Sequence, residues 1–269
     1  QRLAHVAHLR RAQLARPRNA ADGGVWTPTQ SAYDQLVASD RLSLAGAFRA
    51  AGWRTVSDIP SDTGSWSVGS SFYHYDSLID ATDAGYQGPG SATPGSRISS
   101  RSSASRRPSS VVPPMPPVMA EIDLVSSHTP WAPLPQLLPW DRIGDGSVYD
   151  PQPAQSMSAG AVWQSAKTIQ RFYGQSVQYS LGSLLSFLRN VDDPNLVVIA
   201  LGDHQPAPIV SGAGASHDVP ISVIARDPAV FTAIDSWAWS PGLLPGDGSP
   251  IWRMDAFRDR LFAAFSEKP

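Results

Sequence analysis

Residues 165–201 run SAKTIQRFYGQSVQYSLGSLLSFLRNVDDPNLVVIAL, and they restrict the fold more than any other stretch. Ile169, Phe172, Tyr173, Val177, Leu181, Leu184, Leu185 and Leu188 recur at steps of three and four, which predicts an amphipathic helix over 165–190. Gly174 and Gly182 weaken that helix but permit close packing. VDDPN is a turn. LVVIALG then reads as a strand covered on both faces, because it has no polar alternation.

The same grammar recurs upstream and downstream. SAYDQLVASDRLSLAGAFRAA (31–51) reads as two short helices, with Gly52 as a C-terminal cap. WRTVSDIP follows as a short strand ending at Pro60. VMAEIDLVSS (118–127) and VPISVIA are further strands, and MDAFRDRLFAAF is a closing amphipathic helix. Strands alternating with helices predict an α/β class with a mostly parallel central sheet and helices on both faces.

Composition excludes several function classes. A net charge of −2 leaves no nucleic-acid footprint. The absence of cysteine removes disulfides and thiolate metal sites. No run reaches the roughly 18 apolar residues that span a bilayer. Residues 1–24 form a basic, helix-prone lead-in without the apolar centre of a signal peptide, as expected of a piece of a longer protein. Within it His5 and His8 have helical i, i+3 spacing. Residues 25–269 read as one domain, interrupted at 87–117 by a Ser, Arg, Pro and Gly stretch of linker composition.

Chemistry concentrates where strands end, since ligands of open α/β sheets bind at the carboxyl edge. The buried run 196–202 delivers Asp203 and His204 side by side. A carboxylate oxygen and a neutral imidazole nitrogen suit a divalent cation such as zinc or manganese. The alternative is that Asp203 caps the next turn and His204 is merely exposed. His128, in SSHTPW, follows another strand and is placed to contact an anionic oxygen. His217 precedes a third strand and is a weaker candidate. His74, among aromatics, reads as packing or surface, and the nine tryptophans as core and loop plugs. No Walker loop, dinucleotide fingerprint or G-x-S-x-G elbow is present.

YGQSVQYSLGSLLSFLRN followed by NLVVIALGDHQP resembles the sulfatase-like branch of the alkaline phosphatase superfamily. SSHTPW is similar to that branch's substrate-side histidine segment, and HDVPISVIARDP to its following strand. LAGAFRAAGWRTV and SFYHYD are similar to segments between its first and middle strands. The nearest group is the actinobacterial membrane proteins with an exported sulfatase-like domain, related in fold to lipoteichoic acid synthases. The resemblance implies an alkaline phosphatase-like fold, with Asp203 and His204 as ligands of a divalent metal (Mn, Zn, Mg or Ca) and His128 on phosphate or sulfate oxygens. It implies an anionic ester substrate: a phospholipid head group, a phosphoglycan or a sulfate ester. It also implies a full-length relative at the outer face of the cytoplasmic membrane, held there by an N-terminal part.

Two departures qualify it. The branch's opening strand carries an acidic metal ligand, followed by a threonine or serine nucleophile, and neither element precedes Gly24. The chain therefore reads as N-terminally truncated, with half a metal site and no nucleophile. Residues 91–110 depart from the branch's helical segment. Codons for Leu-Gln-Arg-Leu-Glu, shifted by one base, give Ser-Ser-Ala-Ser-Arg, which stands at 102–106. An out-of-frame reading is one origin of this stretch and a true linker is the other; the coding DNA decides between them. Three functional readings follow: part of a metal-dependent hydrolase or phosphotransferase, an inactive fragment or pseudoenzyme, or a module binding anionic glycan or lipid head groups.

Overall fold

A computed structural model of the chain describes residues 4–10, 22–60, 66–80, 116–246 and 248–266. The stretch 91–110 lies outside them. In chain order the strands are β1 (Ala4–Arg10), β2 (Arg54–Asp58), β3 (Ser77–Ile79), β4 (Val118–Ile122), β5 (Val197–Leu201), β6 (Asp218–Ala225), β7 (Ser240–Pro241) and β8 (Ile251–Arg253). The helices are α1 (Gln30–Val37), α2 (Leu44–Ala50), α3 (Ser67–Ser71), α4 (Gln152–Gln155), α5 (Ala159–Val162), α6 (Ala166–Asn190), α7 (Pro208–Ser211), α8 (Pro228–Ala233) and α9 (Phe257–Phe265). They divide into two compact units: Gln1–Ala47 with Ser71–His74 and Asp193–Pro269, and Phe48–Ser70 with Tyr75–Asp192.

The first unit is built on a five-stranded sheet of order β5-β6-β1-β7, with β8 also paired to β1. β6 runs antiparallel to both β5 and β1, β7 runs antiparallel to β1, and only the β1–β8 pair is parallel. The expected parallel order fails here for a physical reason. A parallel return needs a crossover of about a dozen residues, usually a full helix. The β5–β6 connection contains only the four-residue α7, so the chain turns back beside itself. The sheet's centre is Ile221, Val219 and Val223, all nearly inaccessible. Each buried branched side chain contributes about 1.5–3 kcal/mol relative to exposure. A second cluster joins Trp237, Trp239 and Trp252 at centroid separations of 5.1–5.3 Å.

The lead-in is not helical where it is described: Ala4–Arg10 is β1, in seven-residue register with β6. Alanine, leucine and arginine favour helix locally, but pairing with a buried strand outweighs propensity. The helical spacing on which a His5–His8 metal pair depended is therefore absent.

The second unit holds a parallel three-stranded sheet of order β3-β2-β4. Here the expected α/β pattern is found. Gly52, at φ +84°, ends α2 as anticipated, with its N–H donating to Arg49 O at 2.9 Å. The strand expected over 118–127 stops at Ile122 and passes into a 3-10 turn at Val125–Ser127.

α6 spans 25 residues and is capped by Ser165, whose hydroxyl accepts from Thr168 N–H. Its packing is turned only partly from the expected face, of which Phe172, Tyr173, Val177, Leu184 and Leu188 are half-buried. Ile169, Ser176, Tyr179, Ser180 and Ser183 are buried, while Leu181 and Leu185 are exposed. Small hydroxyl side chains let the helix approach the 125–127 turn, where Ser180 Oγ and Ser126 Oγ lie 2.9 Å apart. Gly182 serves the close packing anticipated for it, since a Cβ there would stand 2.7 Å from Leu137 Cδ1. Gly174 faces no such neighbour.

Candidate functional site

Asp203 and His204 follow β5 directly. The backbone beyond that strand continues beside β6, with Gly202 N–H donating to Pro220 O at 3.1 Å and Gln205 Nε2 donating to Asp218 O. The two side chains are held from within their own segment. His204 N–H donates to Asp203 Oδ1 at 2.8 Å, and His204 Nδ1 lies 2.8 Å from Gln205 O. A carbonyl only accepts, so Nδ1 carries the proton and neutral His204 keeps its lone pair on Nε2. That nitrogen stands 3.5 Å from Asp203 Oδ2. Two acceptor atoms at this separation match two neighbouring ligands of one cation, each at about 2.0–2.2 Å from it. The donor set fits a divalent metal as far as it goes. It supplies two ligands, and among the described residues no group of three His, Cys, Asp or Glu has the geometry to hold a metal ion.

His217 is exposed and precedes Asp218, the residue whose carbonyl Gln205 engages. His74 is exposed with φ 63°, which marks it as a turn residue rather than the packing position that was the other reading.

His128 belongs to the second unit, and closes the 3-10 turn after β4 with its N–H donating to Val125 O at 2.9 Å. Its side chain is exposed, and its Nδ1 lies 2.7 Å from Thr129 O. The same logic fixes the proton on Nδ1. The outward Nε2 therefore presents a lone pair while the ring is neutral, and an N–H only when it is a cation. In both rings, therefore, Nε2 is a lone pair while the ring is neutral and an N–H donor when it is a cation.

The His128 loop is rigidly supported. Trp131, 4 % exposed, donates its indole N–H to Ser127 O at 2.8 Å. Its ring stacks on Trp163 at 5.7 Å and 10°, and meets the edge of Tyr173 at 5.3 Å. The Ser126–Ser180 contact ties the same loop to α6.

A feature of the same unit was not anticipated: each parallel strand runs into an aspartate. Asp58 ends β2 and is buried; Asp80 follows β3; Asp123 follows β4, its N–H donating to Asp58 O at 3.0 Å. The signal was legible as SDIP, LIDA and EIDL. At the opposite end of this sheet, Asp76 Oδ2 accepts from Thr55 N–H and Oγ1, while Oδ1 pairs with Arg49 at 3.1 Å. These contacts, the Thr55 backbone bond foremost, hold the Asp76 carboxyl below its ordinary range.

No protein-family model matches the sequence, and no curated protein matches it. Among solved structures, the lipoteichoic acid synthase LtaP from Listeria monocytogenes is similar, with a TM-score of 0.55 at 11% identity. The alignment covers 98% of this chain and 64% of that one, so the chain spans under two thirds of the length of the protein it matches. The likeness is one of fold. It agrees with the α/β arrangement. Among the described residues no helix is long and apolar enough to cross a membrane.

Proposed function

We propose that this chain is part of a metal-dependent sulfatase-like hydrolase or phosphotransferase acting on phosphate or sulfate esters. The observation that carries the reading is the pair at the end of β5: Nε2 of His204 and Oδ2 of Asp203, 3.5 Å apart with the imidazole proton committed elsewhere. The fold likeness to a lipoteichoic acid synthase supports it.

In this reading Asp203 and His204 hold a divalent cation, which supplies Lewis-acid stabilisation of a developing oxyanion when bound. His128, protonated, holds an ester oxygen through Nε2–H. The remaining metal ligands and the nucleophile are not assigned to residues of this chain, so the chain by itself binds manganese or zinc weakly and turns over no phosphodiester.

The test is local to the imidazole. Substoichiometric Mn²⁺ should broaden the His204 ring signals in a nitrogen-labelled sample before those of the other histidines, and Asp203→Ala should remove that selectivity. Uniform broadening of all histidines, or none at His204, sinks the reading.

The His128 loop favours a second reading, a non-catalytic module for anionic glycans or lipid head groups. Anion binding without selective broadening at His204 would support it.

A further inference from the structure

Asp203 and His204 lie on the segment that leaves β5, and Gln205 ties that segment down. The Gln205 side-chain amide donates through Nε2 to the carbonyl of Asp218, the first residue of β6. The Gln205 backbone is biased to extended conformations because Pro206 follows it. The anchor point is itself fixed. Asp218 N–H donates to Ser216 Oγ at 3.0 Å, and Asp218 pairs with Arg10 of β1. On the other side of the pair, Gly202 N–H donates to Pro220 O at 3.1 Å. Asp203 and His204 therefore stand between two ties to β6, all within the first unit. The carbonyl of the anchored residue is the one that meets His204 Nδ1, at 2.8 Å.

We infer that Gln205 is the positioning residue of the Asp203–His204 pair. Its side chain anchors the turn to β6, and its own carbonyl thereby keeps the His204 proton on Nδ1 and the lone pair on Nε2, beside Asp203 Oδ2. The inference rests on the reading of the pair as ligands of a cation. Glutamine suits this task for two reasons. The acceptor at Asp218 is a carbonyl, so the anchor must donate, which an ionised glutamate does not. The amide is also neutral and adds no charge that would repel a cation. An unconstrained imidazole in water favours the proton on Nε2, which would block the lone pair that faces Asp203. The anchored carbonyl selects the opposite tautomer. A hydrogen bond at the second ring nitrogen orients ligand histidines in this way. Gln205 acts through His204 and holds no ligand itself.

The experiment reads the tautomer directly, from the ring nitrogen shifts of the whole chain without metal, above about pH 8, where an ordinary imidazole is neutral. Wild-type His204 should carry its proton on Nδ1. Gln205→Met keeps the backbone carbonyl and the length of the side chain but removes the donor. In that variant the ratio of Nδ1–H to Nε2–H should fall about fivefold, the equilibrium value of one neutral hydrogen bond. Gln205→Lys returns an N–H donor at similar reach and should restore the ratio, which a general loosening of the fold would not. His128, whose Nδ1 has its own carbonyl partner at Thr129, is the internal reference and should be unchanged in both variants. A His204 ratio unchanged in Gln205→Met, an equal fall at His128, or equal loss in both variants overturns the inference. Mn²⁺ added afterwards separates it from the reading beneath it. Selective broadening of wild-type His204 together with an unshifted tautomer in Gln205→Met refutes the anchor and leaves the cation reading standing. A shifted tautomer in Gln205→Met without selective broadening of wild-type His204 refutes the cation reading, and with it the role of Gln205 toward a metal.

Discussion

Nε2 of His204 stands 3.5 Å from Oδ2 of Asp203, with Nδ1 engaged by Gln205 O at 2.8 Å. Both side chains are solvent-accessible, at 38% and 69% exposure. Neither therefore contributes much to stability, and their arrangement is best tested through a ligand. Asp203→Asn removes the anionic oxygen at constant size. It should weaken Mn²⁺ at His204 by about tenfold or more, since a carboxylate is the harder, charged donor. The melting temperature should stay within about a degree, as for surface substitutions within ±0.5 kcal/mol. Calorimetric melting beside the Mn²⁺ titration checks both halves.

Arg258 is a different kind of residue. It is 8% exposed, donates to Gly23 O and Leu42 O at 2.8 and 2.7 Å, and pairs with Asp259. It lies over Gly24, where φ is +59° and an added Cβ would stand 2.6 Å from the guanidinium carbon. Arg258→Leu should destabilise the fold by about 2–4 kcal/mol, because two carbonyls lose their charged donor. Gly24→Ala should cost about 1–2 kcal/mol from the left-handed backbone alone, and more from the clash. Urea unfolding of both variants decides; a neutral Gly24→Ala would show that this turn is not held as described.

Asp76 predicts a pH dependence. Its carboxyl is lowered by the Thr55 bonds and by Arg49 and Arg54. A depressed folded value means the stabilisation is fully present above the unfolded carboxylate range, near about 3.9. It is lost as pH falls through the lower folded value. Asp76→Asn should cost about 1–2 kcal/mol at neutral pH, an amount reduced by the partial exposure of the pair. Its stability should also fall less steeply than wild type below about pH 4. Parallel slopes for the two proteins in acid unfolding would refute the assignment.

Legibility in the sequence followed the range of the interactions. α6 and β5 were readable as elements because their signal is local: sustained periodicity, then an unbroken apolar run; the cover on both faces read from that run is not found, since Val197 and Leu201 are exposed and the residues between them half-buried. Which face of α6 packs was not, because Ser176, Ser180 and Ser183 become core only through a non-local partner at Ser126. β1 was misread because its propensity is helical while its pairing with β6 lies more than two hundred residues away in sequence. The antiparallel sheet was hidden in a loop whose length suited a crossover but whose Gly and Ser content could not form one. At the site, the strand-end position of Asp203 and His204 was visible, whereas His128 lies beyond β4, after the 3-10 turn Val125–Ser127. The tautomer the two rings share depends on the carbonyls of Gln205 and Thr129, whose positions no spacing encodes.

His128 supplies the last test, and its sign follows from geometry. Nδ1 already donates to Thr129 O. Only the imidazolium therefore has an outward N–H, so protonation should be required for binding a phosphate monoester. A sulfate ester, anionic at every pH, is the clean probe. His128→Ala should lose most of its binding, whereas His128→Gln, which offers an amide N–H in place of the ring, should keep part of it. Calorimetric titration of the three proteins checks this. Equal affinity in wild type and His128→Ala would mean that the ring binds no anion through Nε2, and that the loop's charge selectivity lies elsewhere.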